Sequence, residues 1–182
     1  MKKISIFLSV LILFSSTLLG CSSSNGEDSH AKAQMEQVKK DELVLAVGSE
    51  PETGFDPTIG WGRYGSPLFQ STLLKRDDDL QIVNDLAIEY EVSQDGKNWT
   101  VKLRNDVKFS DGEPLTADDV KFTFETAKTS GSVLDLQMLE KVESLDDFTV
   151  IFSLKQPQST FINNLITTGI IPKHAYGKNY AE

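Results

Sequence analysis

Asp95-Gly96 constrains this chain more than any other pair of its residues. Tyr90 and Val92 precede it, and Asn98-Trp99-Thr100-Val101-Lys102-Leu103-Arg104 follows. Asp-Gly between two such runs is the strongest short hairpin signal, because both residues tolerate the left-handed backbone of a tight antiparallel turn. Beyond the turn, Trp99, Val101 and Leu103 alternate with Thr100, Lys102 and Arg104. That period of two predicts a strand with one buried face. Phe148–Lys155 repeats the pattern, with Phe148, Val150, Phe152 and Leu154 on one side.

Other segments carry helical spacing. Ala117, Val120, Phe124 and Ala127 recur at i, i+3, i+7 and i+10. Phe122 falls off that stripe, so a second element is expected to cover it. Phe161, Ile162, Leu165 and Ile166 are spaced the same way within Ser159–Thr167. Leu68–Leu74 reads as a short helix, Asp77-Asp78-Asp79 as a turn, and Ser132–Asp146 as a helix followed by a turn. Glu42–Val47 suits a buried strand. Hairpins mixed with helices predict a mixed α+β or α/β fold. A 39% apolar and 25% charged composition is that of an ordinary globular protein. A net charge of −9 leaves no electrostatic footprint for phosphate backbones, so nucleic acid is not an expected partner.

The segment Lys108–Phe124 packs Asp111, Glu113, Asp118 and Asp119 close together. A calcium loop is excluded by spacing. Counted from Asp111, the glycine stands second and Phe122 stands where the closing glutamate belongs. A catalytic pair is disfavoured because adjacent Asp118 and Asp119 point about 100° apart on a helix. Folding punctuation explains the stretch better. Asp111-Gly112 suits a turn. Thr116 and Asp119 have the spacing of a capping box. Asp118 lies in the first turn, where a helix dipole favours negative charge.

The amino terminus is of another kind. Met1-Lys2-Lys3 is a short basic start, and Ile4–Phe14 is an apolar run too short to span a bilayer as a mature helix. Leu18-Leu19-Gly20-Cys21 then resembles a bacterial lipobox. Cys21 is the only cysteine of the chain, and an acylation site accounts for a lone thiol at that point better than half a disulfide does. The expected organisation is a lipoprotein signal peptide over 1–20, a polar tether over 21–40 and a folded domain over 41–182. The chain would be tethered to a membrane through lipid without spanning it. His30 is read as a solvated tether residue.

The loop Gly48–Pro67 is rich in glycine and proline, yet carries Phe55, Trp61 and Tyr64. Aromatic residues there either cap the core or form a ligand-facing platform. Neither His30 nor His174 stands near a G-x-S-x-G context, so Ser66 and Ser71 have no recognisable base. No catalytic residue, cofactor or metal site is expected. His174 is read as a surface or packing residue and Asn98-Trp99-Thr100 as a chance sequon.

Val92–Glu125 resembles the signature region of the bacterial extracellular solute-binding proteins of the peptide/nickel class, family 5. Asp95-Gly96, Trp99–Arg104, Asp106–Phe109, Asp111-Gly112 and Thr116–Val120 carry the resemblance without a gap. Glu42–Thr58, Asp146–Leu165 and Gly169–Tyr176 extend it. The resemblance implies a periplasmic-binding-protein-like class II lobe, with the second lobe beyond this sequence. It also implies a non-enzymatic receptor that captures an oligopeptide or a nickel or other metal chelate and hands it to the permease subunits of an ABC importer. By position it places Gly60-Trp61-Gly62-Arg63-Tyr64 at the ligand cleft. Trp61 and Tyr64 would stack on a solute, and Arg63 would pair with a carboxylate. This chain is expected to be the amino-terminal part of such a protein. The alternatives are a truncated lipoprotein with a scaffold or signalling role, and an extracytoplasmic hydrolase.

Overall fold

The computed structural model describes residues 54–62, 67–130 and 134–176. Cys21, the tether, Glu42–Val47, Arg63 and Tyr64 lie outside them. All described residues belong to the compact unit Val47–Glu182.

The predicted hairpin is present. Strand β3 (Ala87–Val92) pairs antiparallel with β4 (Asn98–Leu103), with Tyr90 opposite Val101 and Val92 opposite Trp99. Gly96 takes the left-handed conformation at φ +70°, and its N–H donates to the Ser93 carbonyl at 2.8 Å. β4 also pairs with β6 (Thr149–Leu154), and β6 with β5 (Leu139–Asp146), giving a four-stranded sheet in the order β3-β4-β6-β5. A separate hairpin joins β1 (Leu74–Arg76) to β2 (Ile82–Asn84) across the predicted Asp77–Asp79 turn.

One sheet face is dry. Trp99, Val101 and Leu103 from β4, Val150, Phe152 and Leu154 from β6, and Leu139 and Val142 from β5 are all buried. Helix α1 (Ala117–Thr129) covers that face with the predicted stripe of Ala117, Val120, Phe124 and Ala127. Phe122 is half-buried. Phe124 meets Phe152 edge-on at 4.8 Å, and Phe161 stands 5.5 Å from Phe152 and 5.6 Å from Trp99. This aromatic chain closes the core, since edge-to-face pairs add to the burial each ring already contributes. Phe161 ends a 3₁₀ turn that leads into α2 (Ile162–Thr167), matching the predicted helical spacing.

Two expectations fail. Leu68–Leu74 is irregular chain that runs into β1, not a helix. Leu73 and Leu74 are neighbours in the chain, and both are fully buried in the same hydrophobic core. The segment after Ser132 also carries no helix among its described residues. It holds β5, whose ladder to β6 shifts register between Leu139 and Lys141 and again between Ser144 and Asp146. Each irregularity adds a residue to one strand. Leu139 and Val142 therefore both face inward three apart, a spacing that imitates a helix.

Candidate functional site

Asp56 organises the loop that the sequence singles out. Its Oδ1 accepts from the N–H and the hydroxyl of Thr58, both at 2.8 Å, and so starts the 3₁₀ turn Pro57–Ile59. Gly60 ends that turn at φ +109°, and the Trp61 N–H donates to the Asp56 carbonyl at 3.0 Å. The turn is moored to the core, because the Ser130 hydroxyl at the end of α1 donates to the Thr58 carbonyl at 2.9 Å. Gly62 sits at φ +85°, where a Cβ would lie 3.0 Å from Pro67 backbone. Neither the backbone nor the space admits a side chain there.

Three aromatic rings gather on this frame. Phe55 meets Trp61 edge-on at 4.7 Å and Phe69 at 4.9 Å. Phe69 is 64% exposed and Phe55 39%, so the cluster is open on one side. Gln70 joins it, its Nε2 donating to the Phe55 carbonyl at 3.3 Å. That bond sets the amide's orientation and leaves Oε1 as the acceptor. Gly169 allows Gln70 this position, since a Cβ on it would stand 2.6 Å from the Gln70 Cβ.

Two polar atoms of the cluster are buried without a hydrogen-bond partner, Trp61 Nε1 and Gln70 Oε1. Leaving such groups unpaired is costly, and among the described residues Trp99 Nε1, Gln158 Oε1 and Thr168 Oγ1 are in the same state away from this cluster. A cavity of about 310 Å³ is lined by Phe55, Asp56, Pro57, Gln70, Ile171 and Tyr176. The arrangement offers an aromatic surface, one donor and one acceptor. It offers no nucleophile–base pair.

Of the residues expected at the cleft, Gly60, Trp61 and Gly62 are thus built into one rigid turn. The sequence did not point to Phe69 or Gln70. They belong to the stretch read as a helix, and only the tertiary approach of Gly169 brings Gln70 to Phe55.

The acidic stretch behaves as punctuation, with one addition. Asp111 Oδ1 accepts from the Glu113 N–H at 3.1 Å within the turn. Thr116 and Asp119 form the capping box, with the Thr116 N–H donating to Asp119 Oδ2 at 2.8 Å and its hydroxyl to the same oxygen at 2.9 Å. The same acids also hold a distant element, the short helix α3 (Lys173–Tyr176). Lys173 N–H donates to Asp119 Oδ1 at 2.9 Å, Lys173 Nζ to Asp118 Oδ2 at 2.8 Å, and His174 Nε2 lies 2.6 Å from Asp111 Oδ2. The lysine and the Ser144 hydroxyl hold Asp118 below the usual carboxylate range. His174 does the same to Asp111, together with the Glu113 amide. The Asp111 hydrogen bond raises His174 above an ordinary imidazole.

The described residues thus form a four-stranded sheet backed by α1, with an open aromatic cluster on the loop moored to the end of that helix. Comparison with known proteins supplies the family. The model for bacterial extracellular solute-binding proteins, family 5 Middle, matches residues 81–182. The chain belongs to that family. Protein XP55 of Streptomyces lividans is 38% identical over 75% of this chain and 26% of its own length. The oligopeptide-binding protein AppA of Bacillus subtilis is 33% identical over 97% of this chain and 34% of its own. The crystal structure of NikZ from Campylobacter jejuni in complex with Ni(L-His) superposes with a TM-score of 0.61 and 28% identity. That superposition covers 68% of this chain and 26% of NikZ. The chain therefore spans about a quarter to a third of the length of these curated relatives.

Proposed function

We propose that this chain is part of an extracytoplasmic lipoprotein that captures oligopeptides and delivers them to the permease of an ABC importer. Cys21 carries the lipid and tethers the domain to the membrane face. The solute lies against Phe55, Trp61 and Phe69, with Arg63 and Tyr64 on the same loop. No bond of the solute is made or broken.

The observation that carries this reading is the unpaired couple of Trp61 Nε1–H and Gln70 Oε1 beside an open aromatic cluster. A peptide group supplies the complement of each, an acceptor and a donor fixed in one plane. An indole and two phenyl rings provide a surface on which an apolar side chain buries area without a size-specific pocket. AppA, named for oligopeptide binding, matches 97% of this chain with 34% of its own length, which favours the same class of solute here.

A metal chelate is the second reading, favoured by the likeness to NikZ. Calorimetry on the intact gene product separates them, with pooled oligopeptides of mixed sequence in one titration and nickel–histidine in another. Heat with the peptides and none with the chelate is the expected result. The reverse would transfer the site to the second reading, and silence in both would overturn the receptor role. Replacing Cys21 with Ser is expected to release the protein from membranes, and continued membrane association would refute the anchor.

A further inference from the structure

The four-stranded sheet ends on one side in a strand with a single neighbour. β3 is outermost, with β4 beside it and no described strand beyond. The Ser93 N–H donates to the Asn98 carbonyl at 2.8 Å. Antiparallel bonding alternates along a pair, so Glu91 and Glu89 bond toward β4, and the N–H and C=O of Tyr90 and Val92 point away from it. Among the described residues no hydrogen bond reaches those outward groups.

The side chains of this edge sort by face. Tyr90 and Val92 stand opposite Val101 and Trp99, so they lie on the dry face. Helix α1 packs over β5 and β6, at the other side of that face. Tyr90, stacked on Trp99 at 6.0 Å, is 36% exposed, Val92 is 42% exposed, and Ile88 beside them is 54% exposed. Glu89 and Glu91 lie on the opposite face. They share one cation, Lys102, which is paired with Glu89.

We propose that the free edge of β3 takes up, by strand addition, an extended segment of a partner protein in which apolar and basic side chains alternate. The segment's backbone bonds the outward groups of Tyr90 and Val92. Its apolar side chains continue the dry face past Tyr90 and Val92, and its basic ones meet Glu89 and Glu91. This edge shares no residue with the aromatic cluster, and the inference does not depend on which solute that cluster takes.

Charge selects this occupant. A second copy of the chain, paired antiparallel on the middle of the edge, would set Glu89 and Glu91 against the same residues of its partner. Like charges directly opposite destabilise a sheet, and charged side chains on an edge commonly deter such self-pairing. The same two carboxylates favour a strand that brings lysine or arginine to their face, because one ammonium between two carboxylates leaves that face negative. The exposed Tyr90 and Val92 favour apolar residues at the alternate positions. Backbone bonding thus supplies the hold, and the alternation of the two faces sets the register.

Backbone amide exchange of the intact gene product, read by NMR, tests the edge. The probe is a capped peptide of alternating valine and lysine, about six residues long. Without it, the amides of Tyr90 and Val92 are expected to exchange as exposed groups while that of Glu91 is protected by β4. At a free concentration about ten times its dissociation constant, the peptide should raise protection of Tyr90 and Val92 about tenfold. A peptide with glutamate in place of lysine should bind more weakly, and Glu91→Lys should reverse that preference, each by about two- to fivefold. Tyr90 and Val92 amides already protected without peptide would overturn the proposal, by assigning the edge to the protein's own chain or, where protection rises with protein concentration, to a second copy. Unchanged protection with the lysine peptide would also overturn it, as would an equal response to the two peptides.

Discussion

The sheet covered by α1 and the loop at Phe55–Gly62 solve opposite problems. On the dry face of the sheet every large side chain finds apolar neighbours, and the Phe124–Phe152–Phe161 chain leaves no ring open to water. Among Phe55, Trp61 and Phe69 two rings face outward, and Trp61 Nε1 and Gln70 Oε1 lie unpartnered beside them, whereas the unpartnered Trp99 Nε1 of the dry face sits in a ring that lies between Tyr90 and Phe161. Both regions are rigid, but rigidity has different sources. Burial fixes the first. The second is fixed by a capped turn, a left-handed Gly62 and a hydrogen bond from Ser130. Stability that comes from outside the loop lets the loop keep groups unsatisfied, which is the condition for binding something with them.

That contrast can be broken most severely in the core. Phe152→Ala removes the ring that touches both Phe124 and Phe161, and should cost about 3–5 kcal/mol in chemical denaturation. A loss near 1 kcal/mol would mean that the face is not closed. Asp119→Ala comes next. Asp119 is 5% exposed and accepts from Thr116 and from Lys173, so its removal orphans donors on two elements at about 1–3 kcal/mol. Thermal melting with Thr116→Ala alongside separates the cap from the tie to α3, because the second variant spares the bond to Lys173. Trp61→Phe should act the other way. It deletes a donor that has no partner, so denaturation should place it within about 0.5 kcal/mol of the parent or slightly above it. A marked loss would mean that the indole is a core residue after all. The smallest effect is on pH dependence. The Asp111–His174 pair should add to stability above the lowered range of Asp111 and below the raised range of His174. Melting temperature should therefore decline slightly as pH climbs through the histidine, and Asp111→Asn should flatten that decline.

How far these regions were legible follows from where their signals lie. The β3–β4 hairpin, β4, β6 and the α1 stripe were readable because each has a local period and a local start. The Thr116–Asp119 box was readable for the same reason. β5 was not, because its irregular ladder to β6 places Leu139 and Val142 at a helical interval. Leu73 and Leu74 misled in a similar way, since adjacent leucines in extended chain look like part of a helix until their partners are known. At the site, Trp61 and the two glycines beside it stood out by composition. Phe69 and Gln70 carry no local mark, and Gln70 gains its place from Gly169, ninety-nine positions later. The acidic stretch shows both limits together. Its turn and cap are local and were legible. Its grip on Lys173 and His174 is long-range and was not.

Whether Trp61 and Gln70 meet a solute is tested most directly by calorimetric titration of the intact gene product with pooled oligopeptides, in parallel for the parent and Trp61→Phe. The variant keeps an aromatic ring and loses only the indole and its N–H. Peptide binding by the parent is expected, with a loss of about tenfold or more in the variant, the scale of one unpaired buried hydrogen bond, at unchanged stability. Equal affinity in the two proteins would contradict it.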